Sequence, residues 1–240
     1  MEKKKIKTII FDLDNTLIDL TLSVKQALEL IFRNIGSEFL DNYLSDFLEL
    51  DDFLWDKARD MSSGISKESV PTYRFEVFFN RHKIAYYDYK QANEWFKEGL
   101  ATSVFPYRNT EAVIKKIYEK GYTICVATNG LESLQKPRII NTSFSKYIKR
   151  IFVSEEVGAD KPDPKIFIYL MKEMQIDSEE AIMIGDSKTQ DIKGAQAMNI
   201  KTIWFNPGRK KNLSNIIPDY EINNMEEVIR IIDSLNDINK

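Results

Sequence analysis

The chain reads as an α/β protein: a Rossmann-like parallel sheet of about five or six strands flanked by helices, with an inserted α-helical domain. Three observations predict this. Short apolar runs recur, helix-length amphipathic segments separate them, and one long stretch after the first run breaks the rhythm. The runs cover residues 6–11, 122–127, 150–153, 181–184 and 201–205. Strands buried on both faces of a parallel sheet read as continuous apolar runs. Alternation of such runs with helices implies right-handed crossovers and a sheet covered on both sides.

Each element has a local reason. Ile9, Ile10 and Phe11 form a buried strand that stops at Asp12. Residues 110–120 place Val113, Ile114, Ile117 and Tyr118 at helical spacing, and Gly121 supplies the stop. Residues 164–174 follow Asp163, an N-cap, and begin on proline, which suits the first helical position. Residues 191–198 and 225–235 are the remaining core helices. The stretch 21–101 is rich in helix formers and aromatics (Phe32, Phe39, Phe47, Trp55, Phe75, Phe78, Phe79, Trp95, Phe96) and lacks a strand pattern. It reads as a separate helical lobe with those rings as its core. The expected division is 1–18 and 102–240 for the α/β core and 19–101 for the insert.

At 240 residues, 43% hydrophobic and 30% charged, the composition is that of a globular protein with a sizeable core. Thirty-four basic against 37 acidic residues give a net charge of −3, so no nucleic-acid footprint shows. The basic clusters at 3–7 and Arg209-Lys210-Lys211 read as solvated segments. The single Cys125 lies in an apolar run and reads as a core residue in a reducing compartment. The lone histidine, His82, lies far along the sequence in a helical, polar stretch, which argues against a Cys–His catalytic pair, and one histidine with one cysteine excludes a His/Cys zinc cluster built by a single chain. Asp12 and Asp14 interrupt the first apolar run too early for a signal peptide, and no run reaches membrane length. The expected location is cytoplasmic, without membrane attachment, as a monomer or homodimer.

Ligands of open α/β sheets gather beyond the carboxyl ends of the strands. There the chain places Asp12 and Asp14, then Thr128-Asn129-Gly130, then the segment through Lys161-Pro162, and last Gly185-Asp186-Ser187 with Asp191 further on. Two carboxylates leaving a buried strand need a cation or several donors beside them. A turn also uses Asp and Asn, so that pair alone fits two readings. Asp12, Asp14 and Asp186 are hard oxygen donors suited to Mg²⁺. Thr128 offers a hydroxyl, the N–H groups of Asn129 and Gly130 can face an anion where a helix begins, and Lys161 adds a positive charge. Pro162 biases Lys161 toward an extended loop. Taken singly, each segment also fits a turn or a surface loop.

As an ordered set these segments resemble the haloacid dehalogenase (HAD) superfamily: Asp12-Leu13-Asp14-Asn15-Thr16, Thr128-Asn129-Gly130, Lys161-Pro162 and Gly185-Asp186-Ser187 through Asp191. The helical insert is similar to the C1 cap of subclass I. Val153-Ser154-Glu155-Glu156-Val157-Gly158 and Trp204-Phe205-Asn206 are similar to the bacterial pyrimidine 5′-nucleotidase branch. The resemblance implies Asp12 as nucleophile and Asp14 as general acid and base, with its main-chain carbonyl on the metal. It implies Thr128, Asn129, Gly130 and Lys161 around the phosphoryl group, Asp186 in the metal site, and Asp191 behind it, anchoring Lys161. An acid at Asp14 fits phosphate esters, because the dehalogenase branch lacks one there.

The implied activity is Mg²⁺-dependent hydrolysis of a small phosphorylated metabolite through an aspartyl-phosphate, with a nucleoside 5′-monophosphate as the favoured substrate. A sugar-phosphate phosphatase or phosphomutase is the alternative, and a non-catalytic binding protein of the same fold is the reading from another class. Trp55, Tyr73, Arg74, Tyr107 and Arg108 are candidates for substrate selection.

Overall fold

The computed structural model describes residues 5–60 and 62–237. Lys3 and Lys4 of the basic cluster, and the ends of the expected core segments, lie outside them. Two compact units emerge. One runs up to Asp19 and resumes at Val104, and the other is Leu20–Ser103. Asp19 therefore belongs with the core and residues 102–103 with the insert.

In the core unit β1 (Thr8–Phe11) sits at the centre of a six-stranded sheet. In order 3-2-1-4-5-6, it contains β2 (Thr123–Thr128), β3 (Arg150–Val153), β4 (Ala181–Gly185), β5 (Lys201–Phe205) and β6 (Tyr220–Ile222). All pairings are parallel, with Phe11 opposite Val126 on one side and Ile184 on the other. Strand order reverses around β1, which opens a crevice at the carboxyl ends of β1 and β4. The three-residue β6 is too short to stand out in the sequence.

Side-chain alternation splits the core in two. Ile9, Phe11, Val126, Ile182, Ile184 and Ile203 face one side with α5 (Thr110–Glu119) and a C-terminal helix, Glu227–Asp237. Ile10, Cys125, Ala127 and Met183 face the other, with Ile166, Phe167 and Leu170 of Pro164–Met174. Cys125 is buried, and burial pushes its thiol well above the usual range. Tyr118, expected on the apolar stripe of α5, is exposed and stacks near Tyr147.

Between β4 and β5 the structure departs from expectation. The predicted continuous helix over 191–198 is a π-helical stretch, Lys188–Ile192, followed by a short α-helix, Lys193–Ala197. The Ser187 carbonyl accepts from the N–H groups of both Asp191 (2.9 Å) and Ile192 (3.2 Å), which widens the turn. After β2, where a helix start was expected beyond Gly130, lies α6 (Glu132–Ile140), and α7 (Ser154–Val157) after β3 was not anticipated.

The insert consists of α1 (Leu20–Ile35), α2 (Tyr43–Arg59), α3 (Val70–Arg81) and α4 (Tyr89–Thr102). Phe32, Phe47, Phe75, Phe78, Phe79 and Phe96 are fully buried and meet edge-to-face or tilted. Gly99 of α4 lets that helix touch α1: a Cβ there would fall 2.5 Å from the Ala27 Cα. Arg74 is part of this core and not a free substrate-binding group. It is buried, donates to Asp51 and Asn93 at 3.0 Å each, and lies over the Phe96 ring at 4.3 Å. Among the described residues no helix is long and apolar enough to cross a membrane.

Candidate active site

The carboxyl ends of β1, β2 and β4 converge on Asp12. Its N–H donates to the Ile184 carbonyl at 2.9 Å, which continues the β1–β4 pairing one residue beyond Phe11 and fixes the main chain. The chain then turns at once. The Leu13 carbonyl accepts from Leu17 (2.9 Å) and Ile18 (3.1 Å), and Asn15 takes a left-handed conformation (φ 58°) that asparagine tolerates. Buried Thr16 in that turn accepts the Asp186 N–H on its hydroxyl at 3.0 Å, while Trp204 Nε1 donates to the Asp186 carbonyl at 2.8 Å. Both main-chain groups of Asp186 are thus held.

Lys161 approaches from the segment after α7, through a cis peptide to Pro162. The Asn129 side chain clamps its main chain: Oδ1 accepts the Lys161 N–H at 2.8 Å, and Nδ2 donates to the Lys161 carbonyl at 3.0 Å. The ammonium is buried and donates to Asp12 Oδ1 (2.7 Å), Asp191 Oδ1 (2.7 Å) and the Ala127 carbonyl (2.6 Å). An ammonium has three hydrogens, and here each has an acceptor. Lys161 therefore grips the Asp12 carboxylate with all of its hydrogens engaged.

Asp191 is equally engaged, because its Oδ2 accepts the Ser187 N–H at 3.0 Å. It also packs directly on β4: a Cβ on Gly185 would lie 2.2 Å from Asp191 Oδ2. Only glycine fits at that strand end.

Carboxylate oxygens of Asp12, Asp186 and Asp191 lie within 4.8 Å of one another. Among the described residues this is the acidic group that side chains complete; the Asp14 carboxylate, also named as a hard donor from the sequence, points elsewhere, while the metal contact implied by the resemblance is its main-chain carbonyl. Burial first, opposed by Lys161 and reinforced by Asp191, pushes Asp12 up to about 7. Burial and then Asp12 push Asp186 up to about 8. Burial works against the charge on Lys161, but Asp12 and Asp191 outweigh it and hold its pKa above the usual range. Ionising all three carboxylates against one ammonium would leave a negative excess that a divalent cation would neutralise, so this donor set fits a hard metal ion.

Asp14 turns toward α6. Its Oδ1 lies 2.6 Å from Arg138 Nη2, and its Oδ2 accepts from Gln135 Nε2 at 2.9 Å. The same Gln135 nitrogen reaches Thr128 Oγ1 and the Asn129 carbonyl, each at 3.0 Å. The Gly130 N–H, expected to face an anion, instead donates to Ser154 Oγ at 3.0 Å. Thr16 and Ser154 entered the sequence reading only as motif members without a role, and Gln135 and Arg138 escaped it. Their one signal was the three-residue spacing of Gln135 and Arg138 just after Thr128-Asn129-Gly130, which puts both on one helical face. Tyr107, a candidate for substrate selection, packs on Phe205 at 5.2 Å, and burial pushes its hydroxyl up to about 12.

The geometry agrees with what comparisons with known proteins return. A family model described as haloacid dehalogenase-like hydrolase matches residues 9–205. The HAD-hydrolase YfnB of Bacillus subtilis is 28% identical over 243 residues, covering 98% of this chain and 99% of YfnB. A crystal structure of YfnB, described as bound to magnesium, superposes with a TM-score of 0.85 over 96% of this chain and all of that one. The pyrimidine 5′-nucleotidase PynA of Streptococcus pneumoniae is 27% identical, with 95% of each chain covered. A glyceraldehyde 3-phosphate phosphatase of Pyrococcus abyssi is 28% identical, over 98% of this chain and 97% of its own.

Proposed function

Because this chain belongs to the haloacid dehalogenase-like hydrolase family, we infer that it is a Mg²⁺-dependent phosphomonoester hydrolase whose substrate is a nucleoside 5′-monophosphate. The observation that carries the reading is the acidic trio of Asp12, Asp186 and Asp191, in which Lys161 bonds to Asp12 and Asp191, with a further carboxylate, Asp14, two residues from Asp12.

Asp12 attacks phosphorus and the ester oxygen leaves, giving an aspartyl-phosphate that water then cleaves. This covalent route divides one difficult displacement into two easier ones. Lys161 holds the attacking carboxylate in line and stays charged while doing so. Asp14 gives a proton to the departing oxygen and afterwards takes one from water, help worth roughly 10²–10⁴-fold. Thr128 and the Asn129 N–H receive phosphoryl oxygens whose charge shifts in the transition state. The carboxylates of Asp12 and Asp186 would hold Mg²⁺, together with the Asp14 carbonyl that the family resemblance adds. When bound, the ion offsets the repulsion between carboxylate and phosphate and orients both. Asp191 fixes Lys161.

Nucleotides are favoured over sugar phosphates on the motif similarity in residues 153–158 and 204–206 and on the likeness to PynA. The similar glyceraldehyde 3-phosphate phosphatase keeps a sugar-phosphate substrate, or phosphomutation, as the second reading.

The test is hydrolysis of an aryl phosphate with and without Mg²⁺, with Asp12→Asn as control, followed by kcat/KM on nucleoside monophosphates and sugar phosphates. Mg²⁺-dependent turnover lost in Asp12→Asn and highest on a nucleoside monophosphate is expected. No turnover above the mutant would overturn the enzyme reading. A hexose phosphate preferred, or isomerised without free phosphate, would overturn the substrate reading.

A further inference from the structure

We propose that Gln135 and Arg138 of α6 are positioning residues that hold the Asp14 carboxylate in its working orientation and tie it to Thr128. The inference rests on the reading of Asp14 as the group that serves the leaving oxygen. Arg138 is 1% exposed and ranks among the largest fully buried side chains of the chain. A guanidinium is costly to bury, and an apolar residue would fill that space at lower cost unless the charge were needed. Its charge goes to one place: Nη2 stands 2.6 Å from Asp14 Oδ1, out of line for a hydrogen bond but within close ion-pair distance.

The second terminal nitrogen, Nη1, donates to Gln135 Oε1 at 2.8 Å. That bond settles which end of the Gln135 amide faces the site. The amide nitrogen is left with two hydrogens and three acceptors in reach: Asp14 Oδ2, Thr128 Oγ1 and the Asn129 carbonyl. One side chain thus touches both the proton-handling carboxylate and the hydroxyl assigned to the phosphoryl group. Asp14 Oδ1 is buried against Arg138, whereas Oδ2 carries two lone pairs and keeps one for the substrate side after accepting from Gln135. A small error in placing such a group is expensive, because proton transfer needs hydrogen-bond reach to the departing oxygen.

The test separates this role from general damage by using the leaving group. Protonation matters most for a poor leaving group such as an alkoxide and least for nitrophenolate. In Arg138→Met, kcat/KM on an alkyl phosphomonoester is expected to fall about 10²-fold. On p-nitrophenyl phosphate the fall is expected to stay within about tenfold, so the ratio between the two substrates widens. Arg138→Lys, which keeps a charge near Asp14, recovers part of that ratio. If Arg138→Met fails to fold, Gln135→Met, nearly isosteric and uncharged, carries the test and is expected to widen the ratio in the same direction while raising KM through Thr128. Equal losses on both substrates, or unchanged or faster rates, in a folded variant overturn the positioning role. Wild-type protein inactive on both substrates with Mg²⁺ overturns the phosphatase reading itself, and this inference with it.

Discussion

Arg74 of the insert and Lys161 of the core unit are both buried, and the two are used differently. In the insert, Arg74 spreads its planar charge over the faces of Phe96 (4.3 Å), Phe75 (5.2 Å) and Phe47 (5.8 Å) and pairs with Asp51 and Asn93. In the core unit, Lys161 concentrates a point charge on Asp12 and Asp191 and a carbonyl, with no ring against it. Guanidinium suits aromatic stacking, whereas ammonium suits three converging oxygens. Burial of a charge therefore does not by itself mark a site. The mark is charge left over: Arg74 meets one carboxylate, while Lys161 faces an acidic cluster that it cannot neutralise alone.

The largest expected contrast comes from removing each cation. Lys161→Met should lower kcat by about 10²–10³-fold, the usual loss when a charge-stabilising donor is deleted from a site. Arg74→Met should keep kcat per folded molecule within about threefold and cost about 1–3 kcal/mol of stability, since Asp51 retains some access to water. Steady-state kinetics alongside urea unfolding reads both. A large catalytic loss in Arg74→Met would erase the distinction.

A smaller effect is expected from two glycines that allow close packing, Gly185 within the core unit and Gly99 within the insert. Gly185→Ala drives a methyl group into Asp191, and Gly99→Ala drives one into the Ala27 main chain. Each should cost about 1–3 kcal/mol by overpacking. Only Gly185→Ala should also lower kcat, by about tenfold or more, because the displaced carboxylate anchors Lys161. Equal kcat in the two variants would show that Asp191 tolerates movement.

The smallest effect is a pH dependence confined to the core unit. Without metal, Asp12 and Asp186 hold protons up to about pH 7 and 8, whereas in the unfolded chain they release them near 4. The folded state binds more protons across that window, so these groups stabilise it fully below about pH 4 and lose that contribution as pH rises through 7 to 8. Metal binding requires the deprotonated carboxylates and releases those protons. The rise in Tm on adding Mg²⁺ should therefore grow from pH 6 to pH 8.5, as calorimetry at fixed ionic strength would show. A rise independent of pH, or unchanged in Asp12→Asn, would remove the acidic cluster as the source.

Much of this was legible in the sequence. The apolar runs 150–153 and 201–205 are strands with those very bounds, because a strand buried on both faces leaves an uninterrupted apolar signature. Aromatics in 21–101 marked a helical body of their own, although Arg74 looked available for substrate when its partners Asp51 and Asn93 lie 23 and 19 residues away. The π-helical stretch at Lys188–Ile192 was hidden, because its cause is one carbonyl accepting two N–H groups and the residue pattern reads as ordinary helix.

By itself the sequence determined the strands β1 to β5, the helical character of the insert and the chain order of Asp12, Asp14, Thr128, Lys161, Asp186 and Asp191, since periodicity and strand-end chemistry are local properties. The tertiary structure alone decided which of these groups touch. It spent all three Lys161 hydrogens on Asp12, Asp191 and Ala127, turned the Asp14 side chain away from the acidic cluster onto Gln135 and Arg138, and gave the Gly130 N–H to Ser154. The reason is that hydrogen bonds and ion pairs are settled by competition among neighbours within a few ångströms. Parallel crossovers choose those neighbours from residues as near as 24 and as far as 149 positions apart along the chain.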